Sequence, residues 1–228
     1  MAITKVQSVT GAGATLVLNS VVAGNTLTFE MSYLRVSGTN AAAATPTDSN
    51  GTFSVSSADT TFAIGSDHIG AAIWHEGNAA SGTHTVTPDA GVTHNCTLTE
   101  WSGLSATPLD VAKSAGTANF SGTSQVTGTT ATTAQADELA LIVLCLGALS
   151  GAANVGLTDP VTNYTTLQLV QNDSSDLATH HSYRVLVATG TQSATENWTD
   201  TETGQTSMAC IATFKGAQTV GNIAWVTG

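Results

Sequence analysis

The sequence predicts an all-β fold made of two tandem β-sandwich units related by internal duplication. Three observations predict it. A pattern running from Gly24-Asn25-Thr26-Leu27 to Trp101-Ser102-Gly103 returns at a nearly constant offset of about 112 residues, from Asp137-Glu138-Leu139 to Phe214-Lys215-Gly216. Apolar residues alternate with polar ones in short runs bounded by Gly, Asn, Asp and Ser. Thr, Ser, Ala and Gly dominate a chain with only 9% charged and 5% aromatic residues, a composition that interrupts any long helix.

The elements follow in order. Val6 to Leu18 supplies the opening of the first unit, with a strand at Leu16-Val17-Leu18. Leu27, Phe29, Met31 and Tyr33 then point one way, while Thr28, Glu30 and Ser32 point the other, which predicts a strand with one wet face. Further strands read at Thr52 to Val55, Ile69 to His75, Thr83 to Thr87 and Cys96 to Trp101. Between them lie the breakers Asp48-Ser49-Asn50-Gly51, Glu76-Gly77-Asn78, Ser81-Gly82 and Pro88-Asp89-Ala90-Gly91. About six strands parted by turns make a sandwich.

In the second copy Leu139, Leu141 and Val143 answer Leu27, Phe29 and Met31. Thr158-Asp159 with Tyr164 answers Thr47-Asp48 with Phe53, and His180 through Leu186 answers His68 through Trp74. The run Leu139 to Leu146 is apolar on both faces. It is either a central strand covered on both sides or a strand whose outer face packs on the first unit, and the polar outer face of its first-copy counterpart favours the second reading. Residues 110–135 join the units and open the second. The expected division is residues 1–110, residues 111–217, and a tail at residues 218–228. Ile223, Trp225 and Val226 make that tail apolar, and an apolar tail beyond a complete fold is expected to be an interface segment.

A net charge of -11 with five Lys and Arg argues against a phosphate-backbone partner, so nucleic acid is set aside. The opening Met1-Ala2-Ile3-Thr4-Lys5 has no basic-then-apolar signal region, and no apolar run approaches a bilayer span. The expectation is neither an exported precursor nor a membrane protein. Cys96, Cys145 and Cys210 have no metal spacing and read as buried small hydrophobes; Cys96 and Cys210 are the one pairing worth testing, although Cys210 aligns with Thr97.

Candidate chemistry is sparse. The histidines His68, His75, His84, His94, His180 and His181 lack the i, i+2 spacing that would put two on one strand face, and His180 and His181 must point to opposite faces. Asp48-Ser49-Asn50-Gly51 has oxygen donors at alternate positions but lacks the further acids of a calcium loop, so an Asx turn is the expectation and no metal or cofactor is assigned. No Gly-x-Ser-x-Gly elbow or triad pattern is legible, and paired carboxylates such as Glu196 with Asp200 or Glu202 lack a Trp-lined cleft. Neither pattern predicts an enzyme. Trp74 matches Leu186 and Trp101 matches Phe214, which makes both core positions, whereas Trp198 has no apolar match. In the polar setting Glu196-Asn197-Trp198-Thr199-Asp200, Trp198 with Asn197 and Asp200 is the candidate glycan or interface site.

Gly-Asn-Thr-Leu at 24–27, Thr-Asp-Ser-Asn-Gly-Thr-Phe at 47–53, Gly-Ala-Ala-Ile-Trp at 70–74, Gly-Thr-His-Thr-Val-Thr at 82–87 and Thr-Leu-Thr-Glu-Trp-Ser-Gly-Leu with Pro-Leu-Asp at 97–110 form an ordered series. That series resembles a jelly-roll-like β-sandwich module, often in tandem, of tailed-phage proteins and bacterial extracellular proteins. The resemblance covers nearly all of residues 5–217 and carries no catalytic motif. It implies a non-enzymatic structural protein of a tailed-phage virion, a capsid decoration or a tail or fibre-associated protein on the outer surface. Such a protein assembles as a homo-oligomer with other virion proteins. The alternative it implies is a carbohydrate-binding module or lectin-like adhesin, extracellular, recognising a cell-surface glycan.

Overall fold

A computed structural model describes residues 1–35, 43–57, 62–64, 67–120, 122–147, 155–159, 161–171, 177–199 and 205–218. The chain is all-β. In chain order the strands are β1 (Thr4–Ala12), β2 (Leu16–Val21), β3 (Thr26–Arg35), β4 (Thr47–Asp48), β5 (Ser54–Val55), β6 (Phe62–Ile64), β7 (Asp67–Glu76), β8 (Gly82–Thr87) and β9 (Thr93–Ser102). They continue as β10 (Leu104–Phe120), β11 (Ser124–Val126), β12 (Glu138–Gly147), β13 (Thr165–Val170), β14 (Ala178–Leu186), β15 (Thr195–Asn197) and β16 (Gln205–Gly216).

Two large antiparallel sheets form the centre. The first runs β1-β9-β3-β7-β5, with β6 also on β7, and the second runs β10-β16-β12-β14-β13. The two orders correspond strand for strand, opening strand on last strand, last on third, third on the long strand that follows. A small sheet β2-β8-β4 lies on the first large sheet, and the pair β11-β15 lies on the second. The chain crosses from one large sheet to the other at Gly103, ahead of the expected division at residue 110. Its φ of +80° and the backbone of Ala2, whose carbonyl oxygen would meet a Cβ at 2.2 Å, both require glycine there.

Apolar side chains divide into clusters that define the layers. Leu16, Leu18, Phe29, Met31, Tyr33, Trp74, Val86 and Leu98 fill the space between the small sheet and the first large sheet. Ile69, Ile73, Trp101, Leu139, Leu141, Val143, Met208 and Phe214 fill a second core between the two large sheets. Leu144, Leu146, Trp198 and their neighbours cover one end of the outer face of the second large sheet, and Ile142, Tyr164, Leu186 and Ile211 the other. The sandwiches therefore stack face to face and share a core.

This stacking corrects two expectations. Thr28, Glu30 and Ser32 are not on a wet face; each is 0% exposed and looks across at the second sandwich. Leu139 to Leu146 is central in its sheet and covered on both sides, which bears out the first reading of that run and corrects the favoured one. The face it turns to the first sandwich is Leu139, Leu141 and Val143, not the face aligned with Thr28, Glu30 and Ser32. Trp101 lies opposite Thr26 and Phe214 opposite Leu139, so matching the two ladders at Trp101 and Phe214 sets Thr26, not Leu27, against Leu139, one residue away from the sequence alignment. In a strand, one residue exchanges the two faces.

The same ladder-level correspondence places two aromatic contacts on either side of the shared core. Tyr183 of β14 meets Trp101 of β9 edge-on at 5.0 Å, and His75 of β7 meets Phe214 of β16 edge-on at 5.7 Å. Ser32 Oγ donates to the Leu144 carbonyl at 2.8 Å while Cys145 Sγ donates to the Tyr33 carbonyl at 3.7 Å, a reciprocal stitch where β3 crosses β12. All three cysteines are buried thiols, and no disulfide joins Cys96 to Cys210.

Candidate functional site

Three clusters of titratable side chains lie inside the stack. The first is between the small sheet and the first large sheet. Asp48 ends β4, Glu76 ends β7 and His84 sits in β8, where alternation with Val86 turns it inward. The turn after Asp48 is pinned to β8: Ser49 N donates to Thr85 O at 3.1 Å, Thr85 N returns a bond to Ser49 Oγ at 3.0 Å, and Asn50 Nδ2 donates to Ser81 O at 3.2 Å. Asn50 N reaches Asp48 Oδ1 at 3.4 Å, as an Asx turn does. His84 Nδ1 lies 2.5 Å from Asp48 Oδ2, and Nε2 lies 3.0 Å from the Ala80 carbonyl. One donor atom each from Asp48, Glu76 and His84 falls within 4.8 Å of the other two.

Electrostatics at this cluster follow from its burial. Desolvation first, then the Asp48 charge, push Glu76 up to about 7. Burial works against a charged His84 ring, but the Ala80 carbonyl and the two carboxylates outweigh it and raise its pKa. Such an arrangement can share a proton between ring and carboxylates or hold a cation among them.

The second cluster belongs to the other sandwich. His180 Nδ1 meets Glu196 Oε2 at 2.7 Å, and Nε2 meets Thr166 Oγ1 at 3.1 Å with Asp159 Oδ1 beyond at 3.9 Å. Thr166 donates its hydroxyl to Asp159. Burial raises Glu196 against the opposing pull of His180. Here the imidazole stands between its two carboxylates, one at each ring nitrogen, which makes a hydrogen-bonded bridge and not a common ligand sphere.

The third cluster is in the shared core. His181, facing opposite to His180 as alternation requires, places Nδ1 2.9 Å from Thr97 Oγ1 and Nε2 3.1 Å from Ser32 Oγ. Burial, then the neighbouring His180, push it down to about 3, so the ring is neutral. Glu30 lies on the same face of the first large sheet as Ser32, 0% exposed, with no hydrogen bond to either carboxyl oxygen. Burial pushes it up to about 8, against the weaker pull of Thr28 and its own backbone. It is a neutral acid at pH 7.

The candidate residues read from the sequence fare differently. Trp198 is 3% exposed and packs with Leu144, Leu146, Val155 and Leu157, so the expectation of an exposed stacking platform is corrected: neither ring face is open to a sugar. Its indole completes the core that β12 alone leaves open on its outer side. Asn197 is exposed at the end of β15, and its carbonyl accepts from Thr158 N at 2.8 Å. Asp200, Ile223, Trp225 and Val226 lie outside the described residues. Glu76 and His84 were missed because they come from different strands. The legible signal was parity, since His84 shares the face of Val86 and cannot be an outward residue.

Comparison of the chain with family models, curated proteins and solved structures gives no match. Fold and clusters together define a class: an all-β protein of stacked antiparallel sheets with histidine–carboxylate clusters between its layers.

Proposed function

We propose that the chain is a non-enzymatic structural protein of a tailed-phage virion, a capsid decoration or tail-associated component, that works by assembling with copies of itself and with neighbouring virion proteins. The carrying observation is the pair of long outer strands. β1 closes one flank of the first large sheet, β10 closes a flank of the second, and among the described residues each pairs with one strand. Uninterrupted ladder runs through residues 7–12 of β1 and 112–117 of β10. Those runs are rich in Thr, Ser, Ala and Gly, with Gln7 and Val9 in the first and a single charge, Lys113, in the second, and a strand edge so lightly guarded is a template for another strand. A register shift bounds the β1 run at its start, and shifts bound the β10 run at both ends. Term-for-term correspondence of the two large sheets supports an origin by duplication, and the jelly-roll-like resemblance supports the virion setting. The glycan alternative has lost its named platform with the burial of Trp198, and no other observation favours it.

Light scattering on the full chain over a concentration series tests the reading. The expected result is a stable oligomer that Thr10→Lys with Thr117→Lys, which put charges on the two exposed edges, shifts to monomer without lowering the melting temperature. A monomer at every concentration, or an oligomer indifferent to both charges, sinks the edge mechanism.

A further inference from the structure

The space enclosed by Asp48, Glu76 and His84 has three properties that belong together. The Ala80 carbonyl can only accept, so Nε2 of His84 donates its proton there, and Nδ1 stands 2.5 Å from Asp48 Oδ2, a gap that either a second ring proton or a metal ion fills. Two electron-rich atoms at that separation need a positive centre. Glu76 is 8% exposed, its Oε2 receives no hydrogen bond, and it faces the same space. A buried carboxylate oxygen without a donor is costly unless something cationic answers it. The backbone at Gly51 also comes so close that a Cβ there would meet both Glu76 oxygens at 2.0 Å, so the turn after Asp48 presses directly on the carboxylate.

We infer that this space is a binding site for a single first-row divalent cation, zinc fitting best, held by Nδ1 of His84 and one oxygen each from Asp48 and Glu76, with water completing the shell. The donor set decides the class. Calcium takes about six to eight oxygens and has no use for imidazole, whereas one nitrogen with two carboxylates is a zinc-type set. Zinc bonds of about 2.0–2.2 Å put tetrahedral ligand atoms about 3.3 Å apart. Starting from 2.5 Å between Nδ1 and Oδ2 and at most 4.8 Å across the group, the ion needs side-chain shifts on the order of 1 Å. The outer contacts are already set: the Ala80 carbonyl fixes the ring tautomer, and the Asn50 amide steadies Asp48. The ion ties the β4 turn and β8 of the small sheet to β7 of the large one. His180 cannot do the same in the second sandwich, because Glu196 and Asp159 approach different ring nitrogens.

Calorimetric titration of the chelator-treated full chain with zinc chloride, alongside thermal unfolding, tests the site. One equivalent should bind, and zinc at about a hundredfold over its Kd should raise the melting temperature by about 5–10 °C. Glu76→Gln and Asp48→Asn should each weaken binding at least about tenfold, while Glu196→Gln leaves stoichiometry and affinity unchanged. Cobalt loaded into the unaltered chain should give the intense visible absorption of a four-coordinate site, a readout that depends on no variant. Absence of binding heat and of any melting shift with zinc, cobalt or manganese would overturn the inference. Zinc binding that survives Glu76→Gln, or a preference for calcium over zinc, would do so equally.

Discussion

Glu30→Gln isolates one strongly perturbed ionisation in the shared core. Glu30 is 0% exposed between the two large sheets and receives no hydrogen bond to its carboxyl, which burial pushes from 4.5 up to about 8. Its folded-state pKa is raised, so the folded protein binds more protons than the unfolded chain between those two values. Stability is therefore fully present below pH 4.5 and lost as pH rises through about 8. The size of the loss follows from the same interval, about 5 kcal/mol at 1.36 kcal/mol per pH unit. For a chain of this length that corresponds to roughly 10–20 °C in melting temperature. Gln has the shape of the protonated acid and does not titrate, so Glu30→Gln removes the slope while any cost of the buried amide stays constant with pH. Denaturant unfolding of both proteins between about pH 5 and about pH 9 gives the difference curve. Glu76 and Glu138, each pushed up to about 7, contribute the same slope to both proteins and cancel. A difference that rises by several kcal/mol over that window supports the burial; parallel curves would refute it.

Two further perturbations address packing. Trp198→Ala removes an indole packed against Leu144, Leu146 and Leu157 and should cost about 3–5 kcal/mol in denaturant unfolding; a change within about 0.5 kcal/mol would return Trp198 to the surface. Gly70→Ala drives a Cβ to 2.1 Å from Cζ of the fully buried Tyr33 and should cost at least about 1–3 kcal/mol. Adding Tyr33→Ala should make the pair less costly than the two changes summed, and simple additivity would count against the contact.

The sequence disclosed what depends on alternation and hid what depends on the partner sheet. Leu27, Phe29, Met31 and Tyr33 were legible as an inward face because their neighbours are polar, and Trp101 and Phe214 as core because they answer each other. Thr28, Glu30 and Ser32 misled for the same reason: polarity marks a wet face when one sheet is considered alone, and only the second sandwich makes that face dry. Trp198 misled because Thr195 and Asn197 face outward while Glu196, on the same side as Trp198, is buried with it. The slip of one residue between Leu27 and Leu139 is invisible to hydrophobicity, since Leu139 to Leu146 is apolar at every position. Of the candidate cluster, Asp48 stood out through its turn, but Glu76 and His84 are brought to it by the pairing of β4 with β8 and by Gly51 yielding space at the end of β7.

The shared core also imposes an order of events during synthesis. β3, β7 and β9 leave the ribosome well before β12, β14 and β16, which supply the opposite wall and end at Gly216. Until that wall exists, the first sandwich must tolerate water on the face that carries Thr28, Glu30, Ser32 and Thr97. An all-apolar face would leave a nascent half-protein prone to aggregation. A face that sets hydroxyls and a carboxylate on β3 and β9 among Ile69, Ile73 and Trp101 holds more water while it waits, then surrenders it when the second half closes over Glu30.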